Sequence, residues 1–122
     1  MDEFSWFVGI YEGEGSFGSR KWKRKYKDKV YEGAGIYLTI KMTDEDTVVR
    51  ISNFLGQKYS EVEKKDRMER GYKRAYRVRQ MGGIKEDGKL FTLIQRMIPH
   101  LSKRRQEQIE YHIERAKSYL NT

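Results

Sequence analysis

The segment Phe7-Val8-Gly9-Ile10-Tyr11-Glu12-Gly13-Glu14-Gly15-Ser16-Phe17 holds an acid between glycines where a helical period gives way to an alternating one. On its N-terminal side Phe4, Phe7, Val8 and Tyr11 recur at helical spacing, which predicts a short helix over residues 3 to 12. Gly9 lies inside that helix and Gly13 at its end, four residues apart and so on one face. A mid-helix glycine costs about 1 kcal/mol relative to alanine. Small residues at this spacing allow two backbones to cross closely, which gives that cost a use. Glu14 stands at the end of the helix, where the negative pole of the dipole repels a carboxylate. It is therefore either a solvated acid in a turn or a group with a chemical task.

The chain beyond Gly15 is basic and strand-like. Residues 1 to 19 contain no Lys or Arg, whereas Arg20 to Lys29 carry seven basic residues and one acid, Asp28, interleaved by Trp22 and Tyr26. Along residues 30 to 42, Ala34, Ile36, Leu38, Ile40 and Met42 alternate with Gly35, Tyr37, Thr39 and Lys41, the pattern of a half-buried strand. Residues 16 to 26 are expected to pair with it through a turn at Lys27-Asp28-Lys29. Thr43 to Asp46 supply a cap and first-turn acids for a helix whose buried face is Val48, Ile51, Phe54 and Leu55 and which Gly56 ends. A second hairpin follows, Tyr59 to Lys64 and Tyr72 to Met81, around the polar loop Lys65 to Gly71. Leu90, Leu93, Ile94 and Met97 mark a third helix stopped by Pro99. Ser102 caps a fourth, on which Ile109, Ile113, Ala116 and Leu120 share a face. Residues 1–122 thus read as one α+β domain, four antiparallel strands with helices on one face and a polar face left open.

Composition narrows the function. In 122 residues, 26 Lys and Arg stand against 18 Asp and Glu, a net charge of +8. A domain this basic suits a polyanion, above all nucleic acid, although an anionic membrane surface attracts the same charge. No apolar run approaches the roughly 18 residues of a membrane span, and Met1-Asp2-Glu3 lacks the basic start of a signal peptide, so an intracellular, non-secreted protein without a membrane partner is expected. With no Cys and only His100 and His112, thiolate chemistry and histidine-rich metal sites are excluded, and any metal is held by oxygen. Gly13 to Gly18 satisfies G-x-G-x-x-G, but a dinucleotide fingerprint follows a strand and opens a helix, and here the order is reversed.

Phe7 to Gly15 resembles the nine-residue signature of the LAGLIDADG homing endonucleases, with Gly9, Glu12, Glu14 and Gly15 in register and Glu in place of Asp at both acidic positions. Pro99-His100-Leu101-Ser102-Lys103-Arg104 is similar to that family's segment ahead of its terminal helix. The resemblance covers nearly the whole chain and implies an αββαββα fold with a saddle-like four-stranded sheet. It further implies a homodimer joined through the signature helix, with Trp6, Gly9, Ile10, Glu12 and Gly13 at the interface. Glu14 becomes the ligand of a catalytic Mg²⁺, with the Gly13 carbonyl as a second oxygen. Arg104, with Lys103 adjacent, becomes the basic group beside the cleaved phosphate. Asp44 occupies the place of a polar assisting residue and is assigned instead to helix capping.

The implied partner is double-stranded DNA on the open sheet face. Alternation puts Ser16, Gly18, Arg20, Trp22, Arg24 and Tyr26 of the first strand there, with Tyr37, Thr39 and Lys41 of the second and Lys73, Arg77 and Arg79 of the fourth. Tyr59, Glu61 and Glu63 of the third strand are expected on the same face. The implied activity is site-specific, Mg²⁺-dependent phosphodiester hydrolysis across the minor groove, leaving 3′ overhangs on a long, nearly palindromic site. The alternative on the same scaffold is a non-cutting binder, either an intron-splicing maturase with RNA as partner or a DNA-binding protein.

Overall fold

In the computed structural model, which describes residues 1–62 and 74–120, helix α1 spans Glu3–Glu14, two residues longer than the apolar spacing predicts. Asp2 caps it: its Oδ1 accepts from the Ser5 backbone N–H at 2.7 Å. At the other end Gly15 turns extended and its N–H donates to the Tyr11 carbonyl. Glu14 is thus the last helical residue and Gly15 the first of strand β1, Gly15–Tyr26. The turn into β2, Lys29–Met42, contains two residues and not three, since Lys29 already belongs to the strand. Lys27 and Asp28 both have positive φ, 48° and 66°, the twist that lets a two-residue loop close a hairpin.

Helix α2 covers Glu45–Leu55, and Gly56 ends it in the left-handed region at φ 67°. Strands β3, Tyr59–Val62, and β4, Ala75–Gly82, follow. Helix α3, Lys89–Met97, leads into a 3₁₀ turn over Ile98–His100, where Pro99 interrupts the α-helical ladder, and α4 spans Lys103–Leu120. Among the described residues, four antiparallel strands form one open sheet in the order β1-β2-β4-β3 beside four α-helices, so the fold is α+β, as expected. The expected loop Lys65 to Gly71, together with Glu63 and Lys73, lies outside the described residues. No helix among the described residues is long and apolar enough to cross a membrane.

The chain divides into two compact units, Met1–Ser16 with Thr39–Gln80, and Phe17–Leu38 with Met81–Thr122. In the first, Phe7, Val8 and Tyr11 of α1 are buried with Val48, Ile51 and Leu55 of α2, Ile40 of β2 and Val78 of β4. Phe54 is only half-buried, but its ring stacks on Phe7 at 4.7 Å. Arg50 of α2 ties down the first turn of α1, donating to both carboxylate oxygens of Glu3 while its guanidinium lies 3.9 Å from the Trp6 ring centre. That hydrogen-bonded pairing holds the Glu3 carboxyl below its ordinary value.

The register of β3 against β4 corrects one expectation. Tyr59 pairs with Val78 and Glu61 with Tyr76, whereas Ser60 pairs with Arg77 and Val62 with Ala75. Directly paired residues share a face, so Tyr59 and Glu61 lie with buried Val78 on the helix side, and Ser60 and Val62 take the side of Arg77. Two contacts agree: the Tyr59 hydroxyl donates to Glu45 of α2 at 3.0 Å, and Glu61 pairs with Arg74 at 3.3 Å. Nothing in a four-residue strand of mixed polarity fixes its face except pairing.

In the second unit, Phe17, Ile36 and Leu38 are buried with Leu90, Ile94 and Met97 of α3, and with Leu101, Ile109, Ile113 and Ala116. Leu120, expected on the buried face of α4, is 51% exposed, because the core ends one turn earlier at Ala116. His112 of α4 meets β1 directly: its Nδ1 lies 3.0 Å from Ser19 Oγ, and its ring stands edge-on to Phe17 at 6.1 Å.

Burial, with the charge of Arg115 adding to it, holds the His112 imidazole below its ordinary value of 6.5. The unfolded chain therefore protonates first, and the folded state loses stability as pH falls from above 6.5 through the depressed value. The urea midpoint is expected to be lower at pH 5.5 than at pH 7.5 in the wild type. In His112→Gln the difference between the two pH values shrinks; an unchanged difference would assign the loss to other groups.

Candidate functional site

Two hollows, one in each unit, gather five of the residues singled out above, Glu14 and Lys41 in one and Arg20, Trp22 and Arg24 in the other. The first opens at the end of α1. Glu14 is exposed there and makes no hydrogen bond or ion pair among the described residues. It lines a hollow of about 340 Å³ with Lys41 and Met42 at the end of β2, Thr43 just beyond, and Ala75 at the start of β4. The local folding explains the grouping. Alternation sends Ile40 into the core and Lys41 outward, on the side of Thr39, whose Oγ1 accepts from Arg79 Nε at 3.2 Å. Ser16 Oγ, two residues past Glu14, reaches the Thr39 carbonyl at 3.5 Å, which brings the start of β1 alongside the end of β2. Ala75 is buried and contributes only a methyl group to the wall.

Asp44 does not line this hollow. It occupies the N-cap position of α2, as expected, but its Oδ2 accepts from the Thr47 hydroxyl at 2.8 Å and not from a backbone N–H.

Among the described residues no group of three or more His, Cys, Asp or Glu side chains could hold a metal ion. The donors at the end of α1 are one carboxylate, Glu14, and the terminal carbonyls that helix geometry leaves without a following donor, Gly13 among them. Such a set does not make the closed cage that zinc takes. It does fit Mg²⁺, which keeps several waters and binds through one or two carboxylates completed by substrate phosphates.

The second hollow, of about 370 Å³, is lined in part by Arg20, Trp22 and Arg24 of β1, Gly35 of β2 and Met81 of β4. Its form follows from the two-residue turn, which sets Trp22 opposite Gly33, Arg20 opposite Gly35 and Gly18 opposite Tyr37. The Lys23–Glu32 ion pair at 3.3 Å fits the same register. A Cβ on Gly33 would overlap the Trp22 ring, and one on Gly18 would overlap the Tyr37 ring. Each aromatic therefore lies flat on the glycine across from it. Arg24 sits 5.5 Å from the Trp22 ring centre. Arg20 donates through Nη1 to Met81 Sδ at 3.2 Å, and the Gly82 carbonyl of β4 lies where a side chain on Gly35 would begin.

The other candidates stand apart from these hollows. Tyr26 is exposed at the hairpin end beside Lys27. Arg77 is half-buried and Arg79 exposed. Lys103 and Arg104 are exposed in the first turn of α4. Their neighbour Arg105 is the buried one: its backbone N–H donates to Ser102 Oγ at 3.3 Å, the expected cap, and its guanidinium donates to Gln108. On α1, Trp6, Ile10 and Glu12 are half-buried, while no atom lies within 4 Å of a Cβ built on Gly9 or Gly13.

Sequence reasoning missed Thr43, Ala75, Met81 and Gly35 as parts of these hollows, and Gly33 as the glycine beneath the Trp22 ring. The signal for the glycines was the turn length, because a two-residue turn aligns both with large side chains of β1.

The sequence matches no protein-family model and no curated protein. The fold does match solved structures: it is that of the LAGLIDADG homing endonucleases. The chain is similar to I-Vdi141I, an archaeal intron-encoded homing endonuclease complexed with DNA, at 18% identity over 98% of this chain and 69% of that one, with a TM-score of 0.60. It is similar to the homing endonuclease I-TnaI at 14% identity over 94% and 70%, with a TM-score of 0.59. A third is the LAGLIDADG homing endonuclease I-GzeII in complex with its DNA target, at 18% identity over 97% of this chain but 37% of that one, with a TM-score of 0.51.

Because the Trp22 ring occupies the place of a Gly33 side chain, Gly33→Ala is expected to cost about 1–3 kcal/mol, the usual penalty of overpacking. In a Trp22→Ala background the same substitution should cost much less. Urea denaturation of the two single variants and the double variant measures the coupling; additivity would show that the ring does not rest there.

Proposed function

We propose that the protein is a site-specific, Mg²⁺-dependent double-strand DNA endonuclease that acts as a homodimer joined through α1. The observation that carries this reading is the outer side of α1, which ends in an uncommitted carboxylate. Apolar residues lie on two opposite sides of the helix. Phe7, Val8 and Tyr11 are buried in its own unit, while Trp6 and Ile10 flank the open glycines on the opposite side. A helix apolar on opposite sides is normally buried on both. A second copy related by a two-fold axis supplies the missing neighbour, and its own Gly9 and Gly13 permit close approach.

Such a pairing brings two Glu14 carboxylates to either side of the axis, one for each strand of a duplex. Glu14 and the Gly13 carbonyl are the proposed Mg²⁺ ligands. A bound divalent cation supplies Lewis acidity and an activated water for in-line displacement at phosphorus. Water oxygen bonds to phosphorus, the bond to O3′ breaks, and the water proton passes to the departing O3′. Arg104, with Lys103 beside it, is the proposed cation against the charge that develops on the phosphate. Cutting across the minor groove leaves 3′ overhangs, and the two-fold axis makes the preferred site long and nearly palindromic. On the open side of the sheet, Arg20, Arg24, Arg77 and Arg79 suit guanine edges, and the hydroxyls and rings of Ser16, Tyr26, Tyr37 and Thr39 add contacts to backbone and base.

Wild-type protein is expected to cut a duplex recovered from a randomised DNA library only when Mg²⁺ is present. Glu14→Gln should bind that duplex with similar affinity and cut it at least about 10²-fold more slowly, the scale on which a group that stabilises the transition state acts. Undiminished cutting would remove Glu14 from its role. Tight binding by the wild type without any cutting would favour the splicing or DNA-binding alternative.

Gly9→Leu separates the two faces of α1. Open space at this position means the substituted chain still folds. Sedimentation should report a monomer where the wild type is a dimer, with double-strand cutting lost. A Gly9→Leu dimer would exclude α1 as the seam.

A further inference from the structure

We infer that the hollow between β1 and β4 reads a thymine next to a guanine: Arg20 takes the guanine, and the Met81 thioether takes the 5-methyl group of the thymine. This rests on the DNA-binding reading above and names the bases that the hollow takes.

Arg20 and Met81 meet on the open side of the sheet. Along β4, Val78 and Gln80 are buried while Arg79 and Met81 are exposed, and Arg20 Nη1 donates to Met81 Sδ at 3.2 Å. A thioether is a weak acceptor. It holds one corner of the guanidinium without neutralising it, unlike the carboxylates that pair with Arg50 and Arg74. Among the described residues the other N–H groups of Arg20 have no partner, which leaves the edge made by Nε and Nη2 for a ligand. Guanine presents two acceptors to that edge in the major groove, O6 and N7. A phosphate could accept it too, but a hydrated anion gains nothing from the rest of the hollow. Met81 is 47% exposed there, the Trp22 ring forms another wall, and Gly35 and Gly82 bring bare backbone to it.

The cytosine that pairs with guanine carries no methyl group, so the apolar partner of Met81 belongs to the neighbouring base pair. Successive pairs stack about 3.4 Å apart, so two side chains in contact reach adjacent pairs. Only thymine presents a 5-methyl group to the groove. Uracil lacks it, and the hollow therefore favours DNA over RNA. Arg24, exposed at the rim and 5.5 Å from the Trp22 ring centre, is left for the phosphates that flank the step.

The probe is the duplex that the wild type selects from a randomised DNA library, with binding measured in EDTA. Repeating the selection with Arg20→Ala should abolish a guanine preference, and with Met81→Ala a thymine preference at the adjacent position. Replacing that thymine by uracil removes only the methyl group. It should weaken wild-type binding about fourfold per half-site, the worth of one buried methyl, and leave binding by Met81→Ala unchanged. At the same position 5-methylcytosine should bind better than cytosine by a similar factor. Met81→Leu should keep the thymine preference, because it keeps the apolar surface. Met81 is exposed and Arg20 half-buried, so none of these substitutions enters the core. Equal wild-type binding of the thymine and uracil duplexes overturns the proposal, as does a discrimination that survives in Met81→Ala. Neither result touches the nuclease reading, which Mg²⁺-dependent cutting of the same duplex tests separately. A wild type that binds without cutting removes the nuclease reading alone, and one that selects no duplex overturns both.

Discussion

Helix α1 has more apolar surface than its own unit covers, and the placement of the candidate chemistry depends on that surplus. Its inner side is closed by α2 through the Phe7–Phe54 stack, and its first turn is fixed by Arg50 against Glu3 and Trp6. An exposed ion pair of this kind adds little to stability. Its consequence is geometric: with the guanidinium flat on one side of the indole, Trp6 has a defined orientation at the edge of the uncovered side. The length of the helix matters as much as its pattern. Capping by Asp2 and release at Gly15 make Glu14 the last helical residue, in line with the axis and clear of the core.

The second constraint is the two-residue turn at Lys27 and Asp28. It fixes the register of a long hairpin, and the register decides which large side chains have glycine across from them. Trp22 and Tyr37 cover Gly33 and Gly18, where a side chain would collide with the rings, and Arg20 reaches Met81. A strand this rich in Lys and Arg would otherwise project its charges independently into solvent. Arg24 beside the Trp22 ring and Arg20 against the Met81 thioether instead share one shallow surface that combines charge with apolar area.

The helices and the long strands were legible because their buried faces are strictly periodic. Val48, Ile51 and Leu55 on α2 and Ile36, Leu38 and Ile40 on β2 allow only one orientation. The face of β3 was not legible, since Tyr59, Ser60, Glu61 and Val62 alternate only weakly and both Tyr59 and Glu61 find polar partners on the helix side. The acid at position 14 was legible from its glycines and from its conflict with the helix dipole. Its neighbour Lys41 was placed on the correct side of the strand, but not beside Glu14, because a three-residue turn hides the register. With two residues in the turn, Ser16 falls opposite Thr39, and Glu14 one step further comes level with Lys41. The association was therefore in the sequence, encoded in the length of a turn.

The charge distribution gives these placements a common direction. Acids alone occupy the first nineteen residues, and the excess of positive charge begins at Arg20. Glu14 therefore sits at the negative pole of its own helix, and in the proposed dimer it faces a second carboxylate across the axis. Both effects disfavour an empty site. A divalent cation would relieve both at once. A ligand that stabilises the carboxylate pair would bind the proposed dimer in preference to the monomer, which would link cation binding to association through α1. The open glycines lower the barrier to close approach, and the acids at the helix ends make that approach depend on the ligand. The proposed seam, with its cost in helix stability at Gly9 and its repulsion at Glu14, would be poorly suited to a purely structural dimer, and well suited to one whose closed form is completed by metal and nucleic acid.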